Sequence, residues 1–228
     1  MSRYLENIRI PVLLPRRQRA VNLLARAVLL KKYPKKLGEV QLVFSAIRLV
    51  DDAKTQYRNA RAGLLAFART RAANGYFWGV CSLETCILSL YRAVRLIEAF
   101  RRSGYVAADG KPVIPRSKGA SILAKETFRR LTDLRHAIQH LDDRILNGEL
   151  PRAQALGPRP QSTVLKIGRY SVRYRDLRDW ITEADHVVAR MMLVEQETQV
   201  RPNKPLQLAD SACQAPGASQ RRDKTARS

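Results

Sequence analysis

Gly79–Arg102 reads GVCSLETCILSLYRAVRLIEAFRR, and the spacing of its apolar residues decides the fold. Val80, Leu83, Ile87, Leu90, Val94 and Ile97 recur at alternating intervals of three and four. That interval places one apolar stripe along a helix, the seam of a helix that packs lengthwise against others. The spacing predicts a helix from about Tyr76 to Arg102. Upstream, Val40, Phe44, Ile47, Val50, Tyr57, Leu64 and Phe67 repeat at similar spacing. They predict a first long helix from Leu37 to Ala73, weakened by Gly63 and ended by the Ala73-Asn74-Gly75 turn signal.

Downstream, residues 103–121 hold an Asp-Gly pair, two prolines and several glycines, and read as a connector. Leu131, Leu134, Ile138, Leu141 and Ile145 then give a third long helix that starts near Ser121 and closes at Asn147-Gly148. STVLKIGRYSVRY (162–174) alternates around IGRY, with Val164 and Val172 heading the two arms, and predicts a small β-hairpin. A final helix carries Leu177, Trp180, Ile181, Ala184, Val188 and Met191/Met192 inward. The expected architecture is all-α: an up-down bundle of long helices with a small β-hairpin inserted before the last. Residues 1–36 form a basic N-terminal arm with a short amphipathic helix at 16–32. Residues 37–199 form the bundle domain, and 200–228 a disordered basic tail.

The chain has 228 residues and a formal charge of +22, from 42 basic against 20 acidic residues. Residues 1–40 hold ten basic residues against two acidic, and residues 201–228 six against two. A polyanion is the partner such a charge favours. Cys81, Cys86 and Cys213 make no disulfide framework, since Cys81 and Cys86 point to different faces of one helix. A reduced, cytoplasmic protein is expected. No apolar run approaches the ~20 residues of a membrane span, and the first residues lack a signal-peptide layout. Trp78 and Trp180 read as core or bundle-end anchors, and His186 as a helix-flank residue. Neither a P-loop nor a dinucleotide fingerprint occurs.

The chemistry-bearing stretch is LRHAIQHLDDRI, Leu134–Ile145, which holds two of the three histidines. With Leu131, Leu134, Ile138, Leu141 and Ile145 inward, His136 and His140 project together from the opposite face, with Arg135 on its flank. Arg135 and His140 stand ~140° apart around the axis with a rise of ~7.5 Å. One helix alone aims them poorly at one phosphate; two such helices side by side in a symmetric homodimer would pool both pairs in a shared cleft.

RHAIQH, Arg135–His140, resembles the motif of the HEPN superfamily: arginine, a polar residue, three further positions, then histidine, within a late helix of a four-helix bundle. The resemblance spans about residues 40–195 and leaves out the arm and the tail. It implies a metal-independent endoribonuclease of toxin or phage-defence type, working as a homodimer and silenced by an antitoxin protein. It also implies Arg135 and His140 as the catalytic pair, with His136 as the auxiliary polar position and Glu84 as the supporting residue on the preceding helix. No cofactor is implied. The residue types suit the task. RNA brings its own 2′-hydroxyl nucleophile, an imidazole moves protons near neutral pH, and a guanidinium holds phosphate oxygens.

Two other readings of the same residues stand beside this one. A non-catalytic helical module would bind nucleic acid or a protein through its basic surface. A metal enzyme would use His136 and His140, at i and i+4, with Asp133 or Asp143 as a third ligand.

Overall fold

The computed structural model describes residues 9–13, 37–104, 112–114, 121–148, 156–158 and 163–191. The amphipathic helix expected at 16–32 and the tail after 200 lie outside them. Among the described residues the elements are α1 (Leu37–Thr70), α2 (Ala73–Arg102), α3 (Lys125–Gln139), α4 (Leu141–Leu146), β1 (Leu156–Pro158), β2 (Val164–Ile167), β3 (Tyr170–Arg173) and α5 (Tyr174–Met191). The protein is mostly helical, with a small antiparallel sheet before the last helix.

Helices α1 and α2 form the central hairpin. Arg71, at φ 60, makes the reversal between them, and its amide donates to the Phe67 carbonyl at 2.8 Å. The predicted α2 seam is the core: Leu83, Ile87, Leu90, Val94 and Ile97 are all fully buried. Each such side chain removed from water contributes about 1.5–3 kcal/mol. On α1 the buried set is Val43, Ala46, Ile47, Val50, Ala53, Tyr57, Ala60 and Leu64. Val40, Phe44 and Phe67, expected inward, are only half-buried. The small alanines occupy the facing line because α1 and α2 lie close together.

Gly63 shows how close. It weakens the helical pattern in sequence, yet α2 approaches α1 there: a Cβ on Gly63 would meet the Gly75 carbonyl oxygen at 2.8 Å and the Gly79 nitrogen at 2.9 Å. Both obstacles are backbone and cannot yield by a rotamer change. Gly63→Ala should therefore lower stability by about 1–3 kcal/mol, as overpacking does, despite the better helix propensity of alanine. Gly38→Ala, with nothing within 4 Å of the added carbon, should be neutral or stabilising. Urea denaturation of both variants checks the pair; equal stability would contradict the close approach.

Helix α5 packs on α1 and antiparallel to α3. Trp180 is buried under the Arg130 guanidinium, 5.3 Å from the ring centre. Glu183 of α5 reaches the start of α3, where it accepts hydrogen bonds from the Ser121 hydroxyl and, at 2.7 Å, from the Ile122 amide. A carboxylate of α5 thus ties down the turn that leads into α3.

The sheet holds one strand more than the expected hairpin: β1 pairs antiparallel with the outer edge of β2. In the hairpin proper, Ile167 pairs with Tyr170 across the two-residue turn Gly168-Arg169. Gly168 has φ 54, and a positive φ at the first turn position suits a two-residue hairpin. The buried face of β2 is Leu165 and Ile167, not the face headed by Val164. A one-residue difference in register exchanges the two faces of a strand. The Tyr174 amide donates to the Thr163 carbonyl at 2.9 Å, so β3 runs directly into α5.

Ile10 and Leu13, from the segment assigned to the N-terminal arm, are buried in the core. The Ile10 carbonyl accepts from Arg61 Nε at 3.0 Å, and the Pro11 carbonyl from the Tyr57 hydroxyl at 3.1 Å. The Tyr57 hydroxyl also lies 3.3 Å from the Tyr174 carbonyl. The buried Tyr174 hydroxyl has no hydrogen-bond partner among the described residues. Burial pushes both phenols above their ordinary value of 10.0. A raised folded-state value means the stability these groups contribute is fully present below pH ~10 and is lost as pH climbs further. Tyr57→Phe should cost ~1 kcal/mol at neutral pH. Tyr174→Phe should be neutral or stabilising there, and should blunt the fall in melting temperature above pH ~10. Thermal melts at pH 7 and pH 10.5 check this; equal losses for the two variants would contradict it.

Candidate functional site

The helix expected to run unbroken through the histidine stretch is divided at His140. That residue has φ −106 and ψ 19, outside helical values, and separates α3 from α4. His140 joins the two helices: its amide donates to the His136 carbonyl at 3.1 Å, and its carbonyl accepts from the Arg144 amide at 3.2 Å. Of the predicted stripe, Leu131 and Leu134 are buried and Leu141 nearly so, with Ala137 buried beside them, whereas Ile138 and Ile145, expected inward, are half-buried.

Both imidazoles face outward, as the periodicity predicts. Their rings stack 6.2 Å apart and 10° from parallel. His140 Nδ1 lies 3.4 Å from Asp143 Oδ2. The side chains of His140 and Asp143 are 57% and 70% exposed, so water and salt screen their attraction. The carboxylate acts as an orienting acceptor: a proton held on Nδ1 leaves Nε2 as the nitrogen able to take one.

Arg135 is half-buried and turns toward α2, its guanidinium 5.3 Å from the centre of the Tyr91 ring. The same tyrosine stacks on Phe128, two turns back on α3, with ring centres 5.9 Å apart and 12° from parallel. Tyr91 therefore fixes the position of Arg135 on the bundle surface. Glu84 is half-buried on α2, two turns or ~10 Å from Tyr91 along the axis. Arg135 thus meets α2 at Tyr91. Lys125, Arg129, His136 and His140 are all exposed and fall within ~60° of one another around α3. The structure brings together His136, His140 and Asp143; Arg135 stands on the adjacent flank.

Among the described residues, no group of three or more His, Cys, Asp and Glu is placed to hold a metal ion. The rings of His136 and His140 lie parallel instead of converging on one point. Asp133 is half-buried and Asp143 exposed.

One residue of this site, Tyr91, was missed in the sequence. Asp143, read there as a third metal ligand in the metal-enzyme alternative, stands instead beside His140 as its i, i+3 neighbour. Tyr91 lies on another helix, and no local signal connects it with Arg135.

A second concavity, of about 260 Å³, lies between the N-terminal segment, α1 and α5, and is lined in part by Leu13, Lys54, Arg178 and Asp185. Lys54 Nζ lies between two carboxylates, 3.0 Å from Asp51 Oδ1 and 3.3 Å from Asp185 Oδ1. Cys86 is buried with its thiol pushed up from 9.0 by desolvation, first, and by Asp52. It is no nucleophile, because the thiolate is the reactive form. Cys81 is exposed.

No family model, curated protein or solved structure matches the chain. Among the described residues no helix is long and apolar enough to cross a membrane.

Proposed function

We propose that the protein is a metal-independent endoribonuclease of HEPN type, acting as a homodimer in the cytoplasm in a toxin or phage-defence role. The observation that carries this reading is the outward pair of stacked imidazoles, His136 and His140, beside Arg135 and oriented by Asp143. His140 takes the proton of a ribose 2′-hydroxyl as that oxygen attacks the adjacent phosphorus. The bond from phosphorus to the 5′-oxygen breaks, and protonated His136 returns a proton to the leaving oxygen. The products are a 2′,3′-cyclic phosphate and a 5′-hydroxyl. Arg135 holds the non-bridging oxygens as charge builds on them. Its seat on Tyr91 holds it on the flank of α3 beside the imidazoles of its own chain, and a second subunit brings a further guanidinium to the cleft. An antitoxin protein that covers this cleft would silence the enzyme.

The same seat favours a second reading, a module that binds RNA without cutting it, in which Arg135 is a surface contact. Purified protein incubated with single-stranded RNA in EDTA separates the two. Fragments ending in 2′,3′-cyclic phosphate, with no cutting of a deoxy analogue, support the nuclease. Binding without fragments supports the module, and cleavage that returns only on adding divalent metal supports neither.

A further inference from the structure

The nuclease reading leaves unused an exposed aromatic pair at the far end of the central hairpin. Phe77 and Trp78, in the first turns of α2, are 63% and 53% exposed. Phe77 packs edge-on against Tyr76, ring centres 5.8 Å apart, yet Phe77 and Trp78 both leave more than half of their surface in water, where exposed aromatics mark a contact site. The surrounding sequence names its charge: residues 64–83, from the end of α1 through the tip, contain Arg69 and Arg71 and no acidic residue. Arg69 and Arg71 are exposed beside the tip.

A path leads from the tip to the histidine site. Trp78, Cys81, Thr85 and Arg92 are all exposed and lie within ~60° of one another around α2. Arg92 adjoins Tyr91, on which Arg135 rests. The length from Trp78 to Arg92 is ~21 Å of helix. The face is polar apart from its two rings. Among the described residues the other large exposed apolar side chains are Val12 and Leu146. The tip therefore lacks the broad apolar face that binding in a membrane interface needs. A second copy of the chain would set like charge against like charge across a two-fold axis.

We propose that Phe77 and Trp78 are a base-stacking platform for single-stranded RNA, which follows the outer face of α2 past Arg92 to Arg135 and the histidines. The inference rests on the RNA reading above and adds to it the strand state of the substrate and the place where it is gripped. Every base offers a face to an indole or phenyl ring, so the platform is indifferent to sequence and requires unpaired bases. Duplex RNA, with its bases already stacked, has no face to offer.

The test is fluorescence anisotropy of the full chain with a labelled 2′-O-methyl oligouridylate of about 12 nucleotides, within the usual site sizes and without the 2′-hydroxyl that cleavage needs. Phe77→Ala/Trp78→Ala, with circular dichroism unchanged, should weaken binding about 10–100-fold, as loss of one stacked base does. Trp78→Tyr should keep most of the affinity, and Val12→Ala, which removes an exposed apolar residue elsewhere, all of it. If the wild type binds the oligomer and the double variant binds it equally well, the platform is overturned while the RNA reading stands. If the wild type binds no oligomer, both are overturned. If the double variant loses affinity for phosphatidylserine vesicles and not for the oligomer, the tip is a membrane contact and the platform is overturned.

Discussion

His140→Ala should lower the rate of RNA cleavage by about 10²–10⁴-fold, the range a positioned proton-transfer group supplies. The size follows from where the residue sits. Its imidazole is more than half exposed and contacts Asp143 and the His136 ring, both in reach of water, so its removal costs the fold little. The loss should fall on kcat while RNA affinity holds, because proton transfer belongs to the transition state and not to ground-state binding. Asp143→Asn should produce a smaller loss, since it disturbs only the orientation of the ring. Arg135→Lys should not rescue Arg135→Ala, because an ammonium lacks the planar fork that grips two phosphate oxygens. Single-turnover cleavage of a labelled oligoribonucleotide measures each value. Equal rates for wild type and His140→Ala would sink the assignment.

Lys54→Ala should destabilise the protein by about 3–5 kcal/mol, the cost of removing one partner from a buried ion pair. Lys54 and Asp185 are only 4% and 3% exposed, and they join the middle of α1 to α5 across 131 residues of sequence. Without the ammonium, the Asp185 carboxylate stays in a site it cannot leave. Most of the loss is the cost of a buried carboxylate deprived of its ammonium and not the attraction itself. The double change Lys54→Met/Asp185→Leu should therefore recover a large part of the stability. Urea denaturation of the single and double variants reads this out, and a double variant weaker than the sum of its parts would contradict it.

The α2 seam was legible because one residue in three or four along it is a large aliphatic, and nothing else in the chain satisfies that interval as a strand. The inward line of α1 was legible only in part. Ala46, Ala53 and Ala60 fill it, and alanine carries little weight in a hydrophobic pattern although it permits the close approach seen at Gly63. Strand β1 left no alternation to read: Leu156-Gly157-Pro158 is three residues long and ends in proline, tolerable only at an edge. The bend at His140 has neither glycine nor proline to announce it. Lys54 falls on the inward stripe of α1, between Val43 and Ile47 around the axis, but nothing local names its second partner, Asp185, which is set by tertiary packing. Trp78, expected among core or bundle-end anchors, stands at the bundle end but half in water. Of the site, the outward direction of His136 and His140 follows from the Leu131–Leu134–Ile138–Leu141 stripe. The seat of Arg135 on Tyr91 does not, since it depends on how α3 crosses α2.

That seat makes the pooled cleft the decisive issue, and mixing two inactive chains addresses it. Arg135→Ala and His140→Ala proteins, each inert alone, would be unfolded together, refolded as an equal mixture and assayed on RNA. Guanidinium and imidazole contributed by different subunits predict recovery of about a quarter of wild-type activity, since half the dimers are mixed and each holds one intact site. No recovery from a mixture shown to contain mixed dimers would contradict it.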